Sequence, residues 1–476
     1  MMMLALLAAL TQPVTTNNHA GCDIAVAPAA TLLLPYFEVD LTSATGTTTL
    51  FTVTNTSAFP QIAHVTLWTD LAFPVLNFNL FLTGYDVQAV NLYDVLVGGT
   101  IPITRAQDTN PNFVALHCAD LPGHLPSDAV IAARRALSGG IGADCTLPVG
   151  ISHVGRAIGY ATIDVVSYCT TQFPADSGGR YFAGPAAAIL FDNVLLGDTQ
   201  QIDAGGFDAE GSPMVHIRAV PEGGLSGAGG GTPVAANLPF TFYDRYTPDG
   251  ARTADRRQPL PSTFGVRFLQ SSTLTTSLTV WREGVTAGRP TCTAGGNARS
   301  NSEMLHTRAI RFDEHDNSWD YGVGFCTLGC FEPLLPLLTR TVTSSSLFPP
   351  FGSFDQGGWM FLNLNSMAAT RPLFSTVCHA TLSAQRAGFG DGCATAAPGQ
   401  SGSRSTTQNW VTASLFGTLG TKRLAVAFDA AWLGNGCTPA LGGNAIVAPA
   451  PQKGGPLVCP PGAKCAAGTL PAELNP

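Results

Sequence analysis

The chain has 476 residues, and only 12% of them are charged, about half of the roughly 25% usual in soluble proteins. A net charge of −8 with three lysines, Lys422, Lys453 and Lys464, argues against a nucleic-acid partner, because phosphate binding needs clustered Lys and Arg. A hydrophobic content of 45% excludes a disordered polyelectrolyte, and the length suits two or three domains with cores of their own.

Met1 to Leu10 is an apolar run, MMMLALLAAL, with the length of a signal-peptide core. It falls short of the about 20 residues that cross a bilayer. The basic residues expected ahead of it are missing, which fits a misassigned or truncated start. A cleavage zone near Ala20 makes residues 1–22 a signal peptide and predicts a secreted or periplasmic protein. His19-Ala20-Gly21-Cys22 loosely resembles a lipoprotein box, so lipid anchoring to the cell surface through Cys22 is the alternative. No later stretch of about 20 apolar residues predicts a membrane span. The 12 cysteines, without CxxC spacing, predict disulfides formed in an oxidising compartment rather than zinc knuckles.

Residues 23–220 read as a first β-sandwich domain. Phe51 and Val53 alternate with Thr52 and Thr54, and Ala63, Val65 and Leu67 alternate with His64, Thr66 and Trp68. Phe78, Leu80 and Leu82 continue the pattern. A period of two places one face in a core and the other in water. Asn55-Thr56-Ser57, Phe59-Pro60 and Thr83-Gly84-Tyr85-Asp86 supply the turns. A helical insert is predicted over 127–138, with Ser127 as N-cap, Asp128 in the first turn and Gly139-Gly140 as the stop. Cys118 and Cys145 flank it and are predicted to be bridged. Strands resume at Ala157 to Tyr168 and at Met214 to Ala219.

A Gly-rich linker, 221–237, leads to a second β-sandwich domain over 238–437. There Phe264, Val266 and Phe268 alternate, as do Leu278 and Val280, and Leu424, Val426 and Phe428. Its long loops carry the disulfide candidates Cys326, Cys330, Cys378 and Cys393, besides Cys292. The tail 438–476 is predicted to be disordered apart from a Cys459–Cys465 loop. The fold class is therefore all-β: two antiparallel, immunoglobulin-like sandwiches with a small helical insertion in the first. Leu34-Pro35-Tyr36 and Leu238-Pro239-Phe240, with Thr66-Leu67-Trp68 and Thr279-Val280-Trp281, hint weakly at a duplication.

The segments TLLLPYFEVDL, TTLFTVTNTSAFPQIAHVTLWTD, FLTGYDVQAVNL, GYATIDVVSYC and FDAAWLGNGC resemble a family of secreted, β-rich bacterial proteins of unknown function. The resemblance implies export and β architecture and brings no catalytic residues.

Motifs for chemistry are weak. Asp176-Ser177-Gly178-Gly179 and His117-Cys118 look like pieces of a serine protease, but His117 and Ser177 stand too close in sequence for that architecture. DSGG then reads as a polar turn. Asp313, Glu314 and Asp316 form an oxygen-rich segment suited to Ca²⁺, without the EF-hand spacing, and a solvated acidic loop is the plain alternative. Cys378-His379, His117-Cys118 and Cys326/Cys330 lack tetrahedral zinc spacing. Neither GK[ST] nor G-x-S-x-G occurs, so no phosphate loop or nucleophile elbow is expected, and no cofactor is predicted. Asp164, Glu283 and Asp429 lie in or beside strands and leave paired carboxylates for glycoside hydrolysis open, with solvent-facing side chains as the plain alternative. Trp68 and Trp281 fall on presumed outer faces, where they would pack between the domains or meet a ligand. The composition as a whole predicts a structural, adhesive or binding protein whose partner is a protein or a glycan. The alternatives are a hydrolase with a loop-built site in the second domain, or a carbohydrate-binding module.

Overall fold

The computed structural model describes residues 24, 26–70, 72–103, 123–139, 153–175, 180–182, 187–206, 208–219, 241–243, 255–261, 263–271, 273–282, 308–314, 318–320, 340–343, 357–363, 408–419 and 422–434. The fold is all-β and antiparallel. In the first part of the chain the strands are β1 (Thr31–Asp40), β2 (Thr47–Asn55), β3 (Gln61–Thr69), β4 (Pro74–Leu82), β5 (Val87–Asn91), β6 (Arg156–Val166), β7 (Leu195–Asp203), β8 (Asp208–Pro213) and β9 (Val215–Ile217). They form a five-stranded sheet, β4-β3-β6-β1-β9, and a four-stranded sheet, β5-β2-β7-β8.

β2 shows the expected alternation: Phe51 and Val53 are buried, while Thr52 and Thr54 are half-buried. Its core side joins Val90 and Leu195 against Leu32, Leu34, Val65, Leu67, Ile163 and Val165 of the five-stranded sheet. The two sheets thus stack sandwich-fashion. β1 contains Pro35, which lacks a ladder N–H, and the β1–β6 register shifts between Leu34 and Phe37 at that place. Gly159, opposite Phe37, allows the close approach: a Cβ there would lie 2.0 Å from the Trp68 carbonyl oxygen.

Helix α1 (Ser127–Leu137) caps this core with Val130, Ala133 and Leu137, a spacing that holds one helical face. Ser127 is not the N-cap. Pro126 holds that position, and its carbonyl accepts the first helical bond from the Val130 N–H at 3.1 Å, which makes Ser127 the first helical residue. Gly139, at φ 99°, ends the helix as its sequence predicts.

The later strands are β10 (Thr263–Leu269), β11 (Leu274–Arg282), β12 (Arg308–Asp313), β13 (Ser318–Asp320), β14 (Arg340–Thr343), β15 (Gly357–Asn363), β16 (Asn409–Leu419), β17 (Lys422–Asp429) and β18 (Ala431–Gly434). They make a second pair of sheets, β13-β12-β15-β10-β18 and β14-β11-β16-β17. Phe264, Val266, Leu278, Met360, Val411 and Ala413 form their shared core.

The expectation that one face of β3 and β6 meets water fails. β3 is buried from Ile62 to Thr69 and β6 from Ala157 to Val166. The five-stranded sheet is a middle layer: its second face, with Leu33, Ile62, Trp68, Tyr160 and Val166, packs in one cluster with Phe242, Tyr243, Leu260, Phe264 and Trp281. Tyr160 joins the halves directly. Its ring stacks on Trp68 at 5.6 Å and meets Trp281 edge-on at 5.7 Å. Trp68 and Trp281 are therefore packed between the halves, each at most 2% exposed. By area alone, each buried ring contributes on the order of 4–6 kcal/mol of gross transfer free energy.

Candidate functional site

The polar residues on the second face of the middle sheet form a buried, hydrogen-bonded group. Strand register sets Asn79, His64, Asp164 and Thr31 in one row across β4, β3, β6 and β1. Thr31, His64, Asp164 and the incoming Arg257 have no exposed surface.

Each member of the row has partners. The Thr31 hydroxyl donates to Asp164 Oδ1 and accepts from Arg257 Nε. Tyr181 and Tyr243 donate their hydroxyls to Asp164 Oδ2 at 2.6 and 2.8 Å. Arg257 also donates to the Leu190 carbonyl at 2.8 Å and to Asp255 Oδ1 at 3.2 Å. Asp255 accepts the backbone N–H groups of Tyr243 and Arg257. His64 bonds the Asn79 amide oxygen and the Gln172 carbonyl, at 3.0 and 3.1 Å.

Burial pushes both Tyr181 and Tyr243 well above the usual phenol range, and the Asp164 charge adds to it. Burial also raises Asp255, with Arg257 opposing the rise. Burial alone would lower Arg257, but Asp164 and Asp255 outweigh it and hold the guanidinium above its ordinary value. A buried charge is tolerated when it is paired and hydrogen-bonded, as these are. The arrangement can lock the halves together. It offers a substrate no access, since none of its charged atoms reaches the surface.

Surface depressions among the described residues lie elsewhere. A groove of about 530 Å³ runs along β7 and β8, lined by Thr54, Asp198, Gln200, Ser212 and His216 among others. His216 Nε2 accepts the Gly197 N–H at 3.1 Å, and burial holds the ring below the ordinary imidazole range, partly offset by the Met214 carbonyl. A smaller pocket of about 120 Å³ separates Asp203, Asp208 and Glu210 from Phe416 and Ala425. There Ser414 donates to Glu210, whose carboxyl is raised by burial despite that bond.

The two most exposed aromatic residues among the described residues sit on two adjoining turns, while Phe416 on β16 is 37% exposed. Phe59 is 75% exposed and Tyr85 is 74% exposed, with Val87 two residues on at 56%. Buried Asn55 ties the turns together: its Nδ2 donates to the Phe59 and Thr83 carbonyls at 2.7 and 2.9 Å, and its Oδ1 accepts from Ser57 N and Oγ. The Tyr85 N–H donates to the Ser57 carbonyl at 2.9 Å. Gly84 permits this contact, because a Cβ there would lie 2.2 Å from the Ala58 carbonyl oxygen. Tyr85 itself is left-handed, at φ 58°, a conformation that strains a bulky residue by roughly 1–3 kcal/mol.

Asp164, read from the sequence as solvent-facing, is the centre of the buried network, because the second half of the chain covers that face of β6. Asp429 pairs with Thr412 in the β16–β17 ladder, and Glu283 lies outside the described residues. Asp313 is buried at the end of β12 and Glu314 is exposed in the turn after it, while Asp316 is outside the described residues. His117, Ser177 and Cys22 are also outside them, as are the disulfide candidates Cys118, Cys145, Cys326, Cys330, Cys378, Cys393, Cys459 and Cys465. Cys169, which follows β6, is disulfide-bonded. Among the described residues no helix is long and apolar enough to cross a membrane, and no group of three His, Cys, Asp or Glu could hold a metal ion.

Arg257, Asp255, Tyr181 and Tyr243 went unmarked in the sequence: Asp255 and Arg257 are only two residues apart, but Arg257 and Tyr243 meet Thr31 and Asp164, 226 and 79 residues away, and leave no local motif. Phe59 and Tyr85 went unmarked too, although both occupy turns that the sequence marks. A large aromatic at a turn position was the available signal.

No family model matches the chain, and no solved structure matches it. It is similar to feruloyl esterase B of Talaromyces stipitatus, with 28% identity over 94 residues, covering 20% of this chain and 24% of that protein. The chain thus spans about a quarter of the length of the curated relative it matches.

Proposed function

We propose that this chain is an exported binding protein, structural or adhesive in role, whose β-sheets display a contact surface and whose buried polar groups hold the fold. One observation carries the reading. Among the described residues, the Asp164–Arg257–Asp255 network is sealed inside, while the rings of Phe59 and Tyr85 stand in solvent on fixed turns. The apolar N-terminal run, the 12 cysteines and the disulfide at Cys169 support secretion or periplasmic release, with anchoring through Cys22 as the lipid-linked form. The stacked antiparallel sheets support two immunoglobulin-like sandwiches of the resembled bacterial family. The partner is a protein or a glycan.

The similarity to feruloyl esterase B favours a second reading, an ester hydrolase with a site built from the long loops of the second half. Assay of the full oxidised chain on methyl ferulate separates the two. The binding reading expects no turnover above the uncatalysed rate. Turnover that co-purifies with the chain would overturn it.

A further inference from the structure

The exposed tip formed by the turns at 56–60 and 83–87 lies away from the buried network. We infer that this tip is a neutral-saccharide binding site, with Phe59 and Tyr85 as its stacking rings. The inference rests on the binding reading above.

Three observations point to a sugar. First, the rings are held rather than merely exposed. Asn55 spends both amide donors and its carbonyl on the two turns, and Gly84 lets the backbones touch. A ring on a fixed backbone loses little freedom when a ligand stacks on it. Tyr85 keeps a left-handed φ of 58° to present its ring at 74% exposure, whereas the aromatics that stabilise the fold point inward.

Second, the area fits a small ligand. At about 200 Å² per ring, the exposed parts of Phe59 and Tyr85 amount to roughly 300 Å². A stable protein interface needs about 800 Å² from each partner. Two rings are enough for one or two pyranose units, whose C–H faces stack on aromatic surfaces.

Third, the charge is wrong for other occupants. The ionised group on these turns is Asp86, fixed by the Thr83 and Val87 N–H groups at 3.0 and 2.9 Å. The chain as a whole carries −8. An anionic lipid surface or a nucleic acid would be repelled, whereas a neutral polyol is not.

The test is isothermal calorimetry of the full oxidised chain with cellohexaose, xylohexaose, chitohexaose and maltohexaose. At least one should bind at millimolar concentration or below. Phe59→Ser and Tyr85→Asn should each weaken that binding by about tenfold, while Tyr85→Phe keeps it within about threefold. Asn tolerates left-handed backbone, so Tyr85→Asn removes the ring without a folding defect, and an unchanged melting temperature checks this for each variant. Absence of binding to all four sugars would overturn the inference, as would binding that survives in both ring variants. Binding to phosphatidylcholine vesicles without any sugar binding would do the same. None of these results bears on ester hydrolysis, so failure of the site and failure of the binding reading remain distinct.

Discussion

Replacing Arg257 with Met removes the one guanidinium that sits between two buried carboxylates. Methionine keeps much of the apolar stem but withdraws the charge. Arg257 Nε lies 3.6 Å from Asp164 Oδ1 and Nη1 lies 3.2 Å from Asp255 Oδ1, and none of the three side chains has exposed surface. Removing one partner of such a buried set costs about 3–5 kcal/mol, because the remaining charge stays buried without compensation. Against a total stability of about 5–15 kcal/mol, that is roughly a fifth or more of what holds the fold. Urea unfolding of the oxidised full chain, followed by circular dichroism and tryptophan fluorescence, measures it. The loss also has a pH signature. Burial raises the Asp255 carboxyl and Arg257 opposes that rise, so the variant lets it rise further. An aspartate whose folded pKa is raised binds its proton more tightly in the native state than in the unfolded one. Stability then falls as pH rises from the unfolded value, about 3.9, through the folded one. The deficit should accordingly be larger near pH 8 than near pH 5. Adding Asp255→Asn should recover part of it. A deficit below about 1 kcal/mol near pH 8, or one equal at both pH values, would refute the role assigned to the Arg257 charge.

Above about pH 10, ordinary tyrosines ionise. Tyr181 and Tyr243 are raised well beyond that value by burial and by Asp164, so their ionisation favours the unfolded chain and stability should drop with rising pH in that range. Ultraviolet titration near 295 nm should show these two ionising only as the fold is lost, and Tyr181→Phe should remove part of that delayed absorbance. The two buried indoles should differ. Trp68 Nε1 donates to Thr162 Oγ1 at 2.9 Å, whereas Trp281 Nε1 is buried without a hydrogen-bond partner among the described residues. Trp68→Phe should therefore be more destabilising than Trp281→Phe, by about 1–2 kcal/mol in urea unfolding, and equal losses would contradict the difference in bonding. Gly84→Ala should cost about 1–3 kcal/mol by driving a methyl group into the Ala58 carbonyl. Ala72→Gly, at φ 57°, should instead be neutral or stabilising in the same assay.

Much of the scaffold could be read from local pattern. Period-two alternation located β2, β3, β4, β10 and β11. Turn residues located the breaks at 55–60 and 83–86, and Gly139 marked the end of α1. These are decisions that a few neighbouring residues make through backbone sterics and side-chain spacing. Alternation also assigned His64, Thr66 and Trp68 to a common face of β3, and the strand register then sets Asp164 beside His64. What alternation could not say is whether that face is wet. A row of polar residues reads as solvent-exposed until something arrives to cover and satisfy it. The groups that do so come from far along the chain: Asp164 lies 133 residues from Thr31 and 79 from Tyr243, and Arg257 lies 226 from Thr31. The same holds for Trp68 and Trp281, whose shared partner is Tyr160. Conversely, Phe59 and Tyr85 look like core residues by type although both stand at turn positions, and the packing of the two turns on Asn55 fixes them outside. Local sequence sets the period and handedness of an element. Whether its polar face meets water or a buried partner depends on a desolvation balance that exists only once distant segments have met.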